Sequence, residues 1–309
     1  MADGGVADGE LENGAGALAY CLTELRREDR DRYLTLLFAP RPARPALAAL
    51  YAFNLECARA VSAGGQQPLL GQMRLQWWRD GLTAGPAGVE GAEGGAENHA
   101  HPVLTALAGP KDRGQGLAPD LLAPLHGLLA ARERDLTALP FATLADVVAQ
   151  AEATGGALAA LAARKLDADL AARSLAAARA AGTAYALAGM LRAIPYQQPG
   201  RGYQGRLCLP QDLLAAHGLT AAEVWSGTKA GAVAACVAQV AAAASQQLAP
   251  LANLGPTGPA LSPLLHGSLA RAYLRRLARA CYDPFAPDLG LHPLGRPLLL
   301  CWRALLRRP

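Results

Sequence analysis

The sequence lacks nearly every motif by which enzymes are ordinarily recognised. It has no G-x-S-x-G nucleophile elbow, no Walker phosphate loop and no H-E-x-x-H metal pair. Its one glycine-spaced string, Gly200-Arg-Gly-Tyr-Gln-Gly205, follows a helical pattern instead of a strand, so it reads as a mobile loop and not a dinucleotide cradle. Six cysteines (21, 57, 208, 236, 281 and 301) include no C-x-x-C pair, which argues against a zinc knuckle or a disulfide framework and for a reducing compartment. Charged residues are only 17% of the 309, and a net charge of +4 without a long basic tract excludes the dense footprint of a nucleic-acid binder. No apolar run reaches the length of a membrane-spanning helix; the nearest, residues 230–244, is mostly alanine and is interrupted by Gln239. No segment alternates with period two, so strands are not expected.

What is present is helical. Hydrophobic residues make up 52%, ample for a large core. Residues 1–16 are acidic and Gly/Ala-rich, with neither a secretory nor a mitochondrial leader pattern, and read as a flexible tail on a cytoplasmic protein. Helical spacing then covers 17–38, interrupted by the charged knot Arg26-Arg-Glu-Asp-Arg-Asp-Arg32, which is either a break or a solvated face. Pro40, Pro42 and Pro45 force a turn before a helix over about 44–62. Residues 83–101 lose all apolar period and read as a flexible insertion; His99-Ala-His101 within it has no third ligand nearby, and Pro102 suits the first turn of the next helix. Further helices are expected over 121–136, 141–166, 168–194, 230–248 and 264–281. Thr143/Asp146 and Thr220/Glu223 supply capping boxes for two helices. The expectation is one all-α domain over residues 17–305.

Two stretches look like cavity walls. Leu47, Leu50, Tyr51, Asn54, Leu55, Ala58 and Val61 share one helical arc, with polar Asn54 in its middle. Gly182, Ala186, Gly189 and Ala193 recur at four, three and four residues, which leaves a face almost without side chains, either an open wall or a seam against another helix. Gly155-Gly156 inside a helix cost about 1 kcal/mol each against alanine, so a close backbone or ligand is expected there.

Three strings identify a resemblance: Leu36-Leu-Phe-Ala-Pro40, Ala49-Leu-Tyr-Ala-Phe53 and Leu75-Gln-Trp-Trp-Arg-Asp80, followed in order by Gly182-Thr-Ala, Leu191-Arg192 and Gly205-Arg-Leu-Cys-Leu-Pro210. They resemble the squalene/phytoene synthase superfamily, which implies an isoprenoid synthase-type helical bundle around a central cavity. Its members join two prenyl diphosphates head to head, with Mg²⁺ held by two aspartate-rich motifs. Aligned on these strings, the first motif's aspartates fall on Ala58, Arg59 and Ser62 and the second's on Ala193 and Gln197. Mg²⁺ requires hard oxygen ligands, and none of these side chains is a carboxylate. Tyr51 to Glu56, Met73 to Trp77 and Leu191 to Tyr196 look most like the branch related to the mitochondrial complex I assembly factor of this type.

That resemblance implies a role with respiratory complex I subunits and no metal or other cofactor; Mg²⁺ enters only in the alternative of an active squalene- or phytoene-type synthase. The candidate cavity or ligand residues are Tyr51, Asn54, Arg59, Trp77, Gly182, Gly189, Arg192, Tyr196 and Arg206. Arg59, Arg74, Arg192 and Arg206 would together hold a diphosphate or lipid headgroup, or each is paired with a carboxylate. Trp77 and Trp78 would stack on a prenyl, quinone or lipid chain, or fill the core. The C-terminal run from Pro297, apolar with Trp302 and terminal arginines, either docks on the core or touches the inner face of a bacterial membrane.

Overall fold

The computed structural model describes residues 4–63, 67–85, 101–109, 117–136, 140–198, 207–252, 254, 258–287 and 289–307, with the side chains of 4–13 left aside. Every regular element among them is helical: α1 (Gly4–Glu28), α2 (Arg30–Leu36), α3 (Arg44–Ala63), α4 (Pro68–Ala84), α5 (Pro102–Ala108), α6 (Pro119–Leu136), α7 (Leu144–Ala151), α8 (Ala157–Leu166), α9 (Ala172–Ala193), α10 (Gln211–Ala216), α11 (Ala230–Gln246), α12 (Ala249–Ala252), α13 (Leu261–Arg279) and α14 (Gly295–Leu305).

Local signals fix several boundaries. Thr143 and Asp146 form the expected reciprocal capping box at the head of α7. The Thr220/Glu223 box also forms, Thr220 N–H donating to Glu223 Oε2 at 2.8 Å, but it heads only the short turn Ala222–Trp225, and the long helix begins later at Ala230. The charged knot is a break: Asp29 leaves helical geometry and caps α2, its Oδ1 accepting from Arg32 N–H at 3.2 Å.

Two boundaries differ from expectation. Residues 4–16 are drawn as the beginning of α1, with Ala7, Glu10, Leu11, Glu12 and Ala15 as the helix formers among them. In the expected insertion, Thr83 and Ala84 close α4 and His101 caps α5, its Nδ1 accepting from Val103 N–H at 3.2 Å; residues 86–100 lie outside those described.

Two apolar cores are packed side by side. One gathers Leu25, Leu47, Tyr51, Phe53, Trp78, Leu104, Leu125 and Leu129 from α1 and α3–α6. The other gathers Val147, Leu187, Leu191, Val237, Leu265, Leu269 and Leu300 from α7, α9, α11, α13 and α14. Helix α8 serves both, with Leu158 and Leu161 in the first and Ala163 in the second. Where they meet, the chain between α7 and α8 widens into a π turn, Glu152–Gly156. This is the irregularity that lets two helices approach closely at one level and part at the next.

Candidate functional site

The approach is made by glycines. A Cβ on Gly155 would lie 2.6 Å from Gly182 O, and one on Gly182 would overlap Gly155 O. The cost of a glycine pair within a helix is thus explained by the backbone of α9 lying directly against it. At this level the bundle is closed. Arg32, Tyr51, Leu158, Gly182, Tyr185 and His266 surround a space with no room for water.

Beyond the glycines the same face of α9 opens. A cavity of about 450 Å³ is bordered by Tyr185, Ala186, Gly189, Met190 and Ala193 of α9, by Gln197 just after it, by Ala58 and Val61 of α3, and by Thr154 and Gly155 of the π turn. Glu28, Asp29 and Arg32 enter from the α1–α2 break, and Arg132 and Asp135 from α6. The small-residue face is therefore a seam at Gly182 and an open wall from Ala186 to Ala193, so each of the two readings holds for part of it.

The cavity's charged groups are mutually paired. Arg32 Nη1 donates to Asp29 Oδ2 at 2.5 Å, and Arg132 Nη1 donates to Asp135 Oδ2 at 3.3 Å. Gln150 Nε2 donates to Asp135 Oδ1 at 2.8 Å, and Arg132 Nη2 reaches Asn54 Oδ1 at 3.4 Å. Glu28 accepts from Arg27 Nε at 3.0 Å. Gln197 is the exception: it is 93% buried, and its Oε1 has no hydrogen-bond partner.

Of the positions that the resemblance matches to the family's aspartates, Ala58, Ala193 and Gln197 reach the cavity. Arg59 and Ser62 do not border it. Arg59 turns toward α1, donating to Glu24, to Glu56 Oε1 at 2.6 Å and approaching Glu28 at 3.8 Å, because one residue along a helix rotates the side chain by about 100°. Ser62 Oγ donates to Ala58 O at 3.0 Å.

The expected four-arginine pocket does not assemble. Arg74 is exposed, Arg192 lies over the Tyr273 ring at 3.9 Å, and Arg206 is outside the described residues. Tyr196 is largely exposed and also misses the cavity. Tyr51 is fully buried in the closed end, its hydroxyl beside Ser262 and Arg32. Trp77 and Trp78 do not line the central cavity. They form an aromatic cluster with Tyr20, Phe53 and His101, whose ring is held at a pKa of about 4 by burial and then by Arg59.

The residues that motif reasoning passed over are Glu28, Asp29 and Arg32, with Arg132, Asp135 and Tyr185. The available signal was the charged knot between two apolar helical halves, which reads as a solvated surface until its neighbours are known. Asp31 belongs to the same knot. It is only 5% exposed, and its Oδ2 accepts from Tyr273 Oη at 2.6 Å and from Tyr185 Oη at 3.1 Å, while Arg296 Nη1 lies 3.5 Å from Oδ1.

The squalene/phytoene synthase family model matches residues 25–303. The chain belongs to the squalene/phytoene synthase family. It is 30% identical over 305 residues to the Drosophila melanogaster homolog of NADH dehydrogenase (ubiquinone) complex I assembly factor 6, covering 96% of this chain and 86% of that protein. To assembly factor 6 of Mus musculus it is 25% identical over 298 residues, covering 93% and 83%. A crystal structure of a dehydrosqualene synthase with bound ligand superposes with a TM-score of 0.71 at 18% identity, covering 95% of this chain and 97% of that one, a likeness of fold.

Squalene/phytoene synthases imply magnesium, which needs converging oxygen ligands with little competing positive charge. Among the described residues of this family member no group of three or more His, Cys, Asp or Glu side chains converges. The carboxylates at the cavity, Glu28, Asp29 and Asp135, each face a guanidinium. Acids farther away do not help: Asp80 accepts from Gln76 at 2.7 Å on the surface, and Glu152 faces Arg179 at 3.8 Å. As arranged, these side chains do not fit a magnesium site.

Proposed function

We propose that this protein is a squalene/phytoene synthase family member that no longer carries out metal-dependent prenyl transfer and serves instead in the assembly of respiratory complex I. It works in the cytoplasm at the inner face of a bacterial membrane, without a cofactor. The observation that carries this reading is the wall of the cavity: it has Ala58, Ala193 and Gln197 where the resemblance to the family puts metal-binding acids, and its own acids, Glu28, Asp29 and Asp135, are neutralised by Arg27, Arg32 and Arg132. Ionising an allylic diphosphate requires a divalent cation to stabilise the leaving group, and this wall offers it no ligand set. The names of the curated relatives, complex I assembly factors across nearly the whole chain, support the assembly role.

The cavity is retained and supports binding of one prenyl, quinone or lipid chain. Its volume of about 450 Å³ is within the range of small-molecule pockets. The unpartnered Gln197 Oε1 favours a head group that donates a hydrogen bond.

The test is incubation of purified protein with farnesyl or geranylgeranyl diphosphate and Mg²⁺, with diphosphate release measured, alongside complex I activity in a deletion strain. The expected outcome is no release and a loss of complex I activity. Turnover abolished by a chelator would instead establish the alternative, an active head-to-head prenyl diphosphate transferase of the squalene or phytoene type.

A further inference from the structure

Helix α14 is attached by one face only. Leu300 is fully buried, Leu299 packs on the core, and Arg296 reaches inward to Asp31 at 3.5 Å. The opposite face carries Leu294, Leu298, Trp302 and Leu305, spaced four, four and three residues apart, which places them in one stripe. They are 66%, 69%, 60% and 77% exposed. Single exposed apolar residues are ordinary, but a continuous stripe of large ones with a tryptophan within it marks an interaction surface.

The charge beside this stripe points to the kind of partner. Arg271 and Arg275 of α13 and Arg303 of α14 lie close enough to repel one another. The Arg271 guanidinium is pushed below its ordinary value by burial and then by Arg303 and Arg275. None of the three pairs with a carboxylate among the described residues, and Arg303 Nε is buried without a hydrogen-bond partner. Arg271 and Arg275 also border a groove of about 490 Å³ whose other walls are Ala241, Ala249, Leu274 and Tyr282 among similar residues. Uncompensated cations at the seam of two helices, one of them on the helix that carries the apolar stripe, supply the positive charge that an anionic surface attracts.

We propose that the α13–α14 face docks onto an anionic lipid bilayer, with Leu294, Leu298, Trp302 and Leu305 entering the headgroup boundary and Arg271, Arg275 and Arg303 facing lipid phosphates. No helix among the described residues is long and apolar enough to cross a membrane, so the contact lies in the plane of the surface. This deepens the membrane placement proposed above and is independent of the assembly role.

Co-sedimentation of the full chain with vesicles of phosphatidylcholine alone, or mixed with phosphatidylglycerol, tests it. Binding is expected only to the anionic vesicles and weakens with salt. Leu298→Gln with Trp302→Gln, and separately Arg275→Glu, should each lower the bound fraction about tenfold. Leu298, Trp302 and Arg275 are exposed, so circular dichroism should show an unchanged fold.

If the wild-type chain binds neither vesicle, the membrane placement fails together with this proposal. If it binds anionic vesicles and the variants bind equally well, the placement stands and this face is the wrong one. If light scattering shows a dimer that the Leu298/Trp302 variant dissociates without loss of lipid binding, the stripe is a self-interface and the proposal is overturned.

Discussion

Gly182 and Gly189 lie two turns apart on one face of α9 and look alike in the sequence, yet the bundle treats them oppositely. A Cβ at Gly182 would run into the carbonyl of Gly155, whereas one at Gly189 meets nothing within 4 Å. The first glycine lets two backbones touch and closes the space beneath Tyr185 and His266. The second borders the open cavity. A shared small-residue pattern therefore carries two physical meanings, and what separates them is the π turn that brings one neighbouring backbone in at a single level.

The sharpest way to break this comparison is to add the same methyl group at both places. Gly182→Ala should destabilise the protein by about 2–4 kcal/mol in urea denaturation, because rigid backbone leaves the new atom nowhere to go. If Gly155 and its carbonyl simply move aside and the cost is negligible, the seam is not a fixed contact.

A second effect centres on the closed end. Burial, and then Arg32, hold His266 at a pKa of about 4, while its Nδ1 faces Pro263 O at 2.9 Å. Between the ordinary value of 6.5 and about 4, the unfolded chain binds a proton that the folded chain refuses. The share of stability carried by His266 should thus fall as pH drops from 6.5 toward 4, by on the order of 3 kcal/mol, and level off below. His101 contributes with the same sign. His266→Gln should remove its share of the slope, and an unchanged slope would assign the effect to other groups.

At the open end the expected effects are small. Gln197→Leu replaces a buried oxygen that has no partner, so thermal stability should stay level or rise by about 1 kcal/mol while affinity for a hydrogen-bond-donating ligand falls. A marked loss of stability would mean that Gln197 is satisfied within the fold. Smallest of all, Gly189→Ala should be neutral or stabilise by up to about 1 kcal/mol, since it improves helix propensity without a clash.

Much of the fold could be read from residues alone. The capping box at Thr143, the span of α3 and the proline turn before it follow from local chemistry, which is set within a few residues. The facing of Ala58 toward Ala193 and Gln197 could be anticipated from helical phase. Arg59 was harder. Its position in the motif placed it toward the cavity, but Glu24 on α1 and Glu56 on its own helix drew it aside. The arginines expected in one pocket had no common phase to bind them: Arg59, Arg74 and Arg192 went to three separate surroundings, and Arg206 lies outside the described residues. Trp77 and Trp78 found His101, which lies beyond any local window of the sequence that would have paired them.

The sequence by itself determined that this is an all-helical chain of the squalene/phytoene synthase family, and that positions 58, 59, 62, 193 and 197, where the resemblance puts the metal motifs, carry no carboxylate. Both facts depend only on residue identity, order and periodicity. Tertiary structure alone decided that Asp29, Asp31 and Arg32 of the charged knot turn inward while Arg26, Arg27 and Arg30 stay exposed: Asp31 sits beneath Tyr185 and Tyr273, and Asp29 and Arg32 border the cavity. The reason is that a charged side chain is buried or solvated according to whether partners reach it, and those partners come from helices more than one hundred and fifty residues away in the chain. The same applies to the face of α9, whose small residues permit either contact or cavity until another backbone arrives.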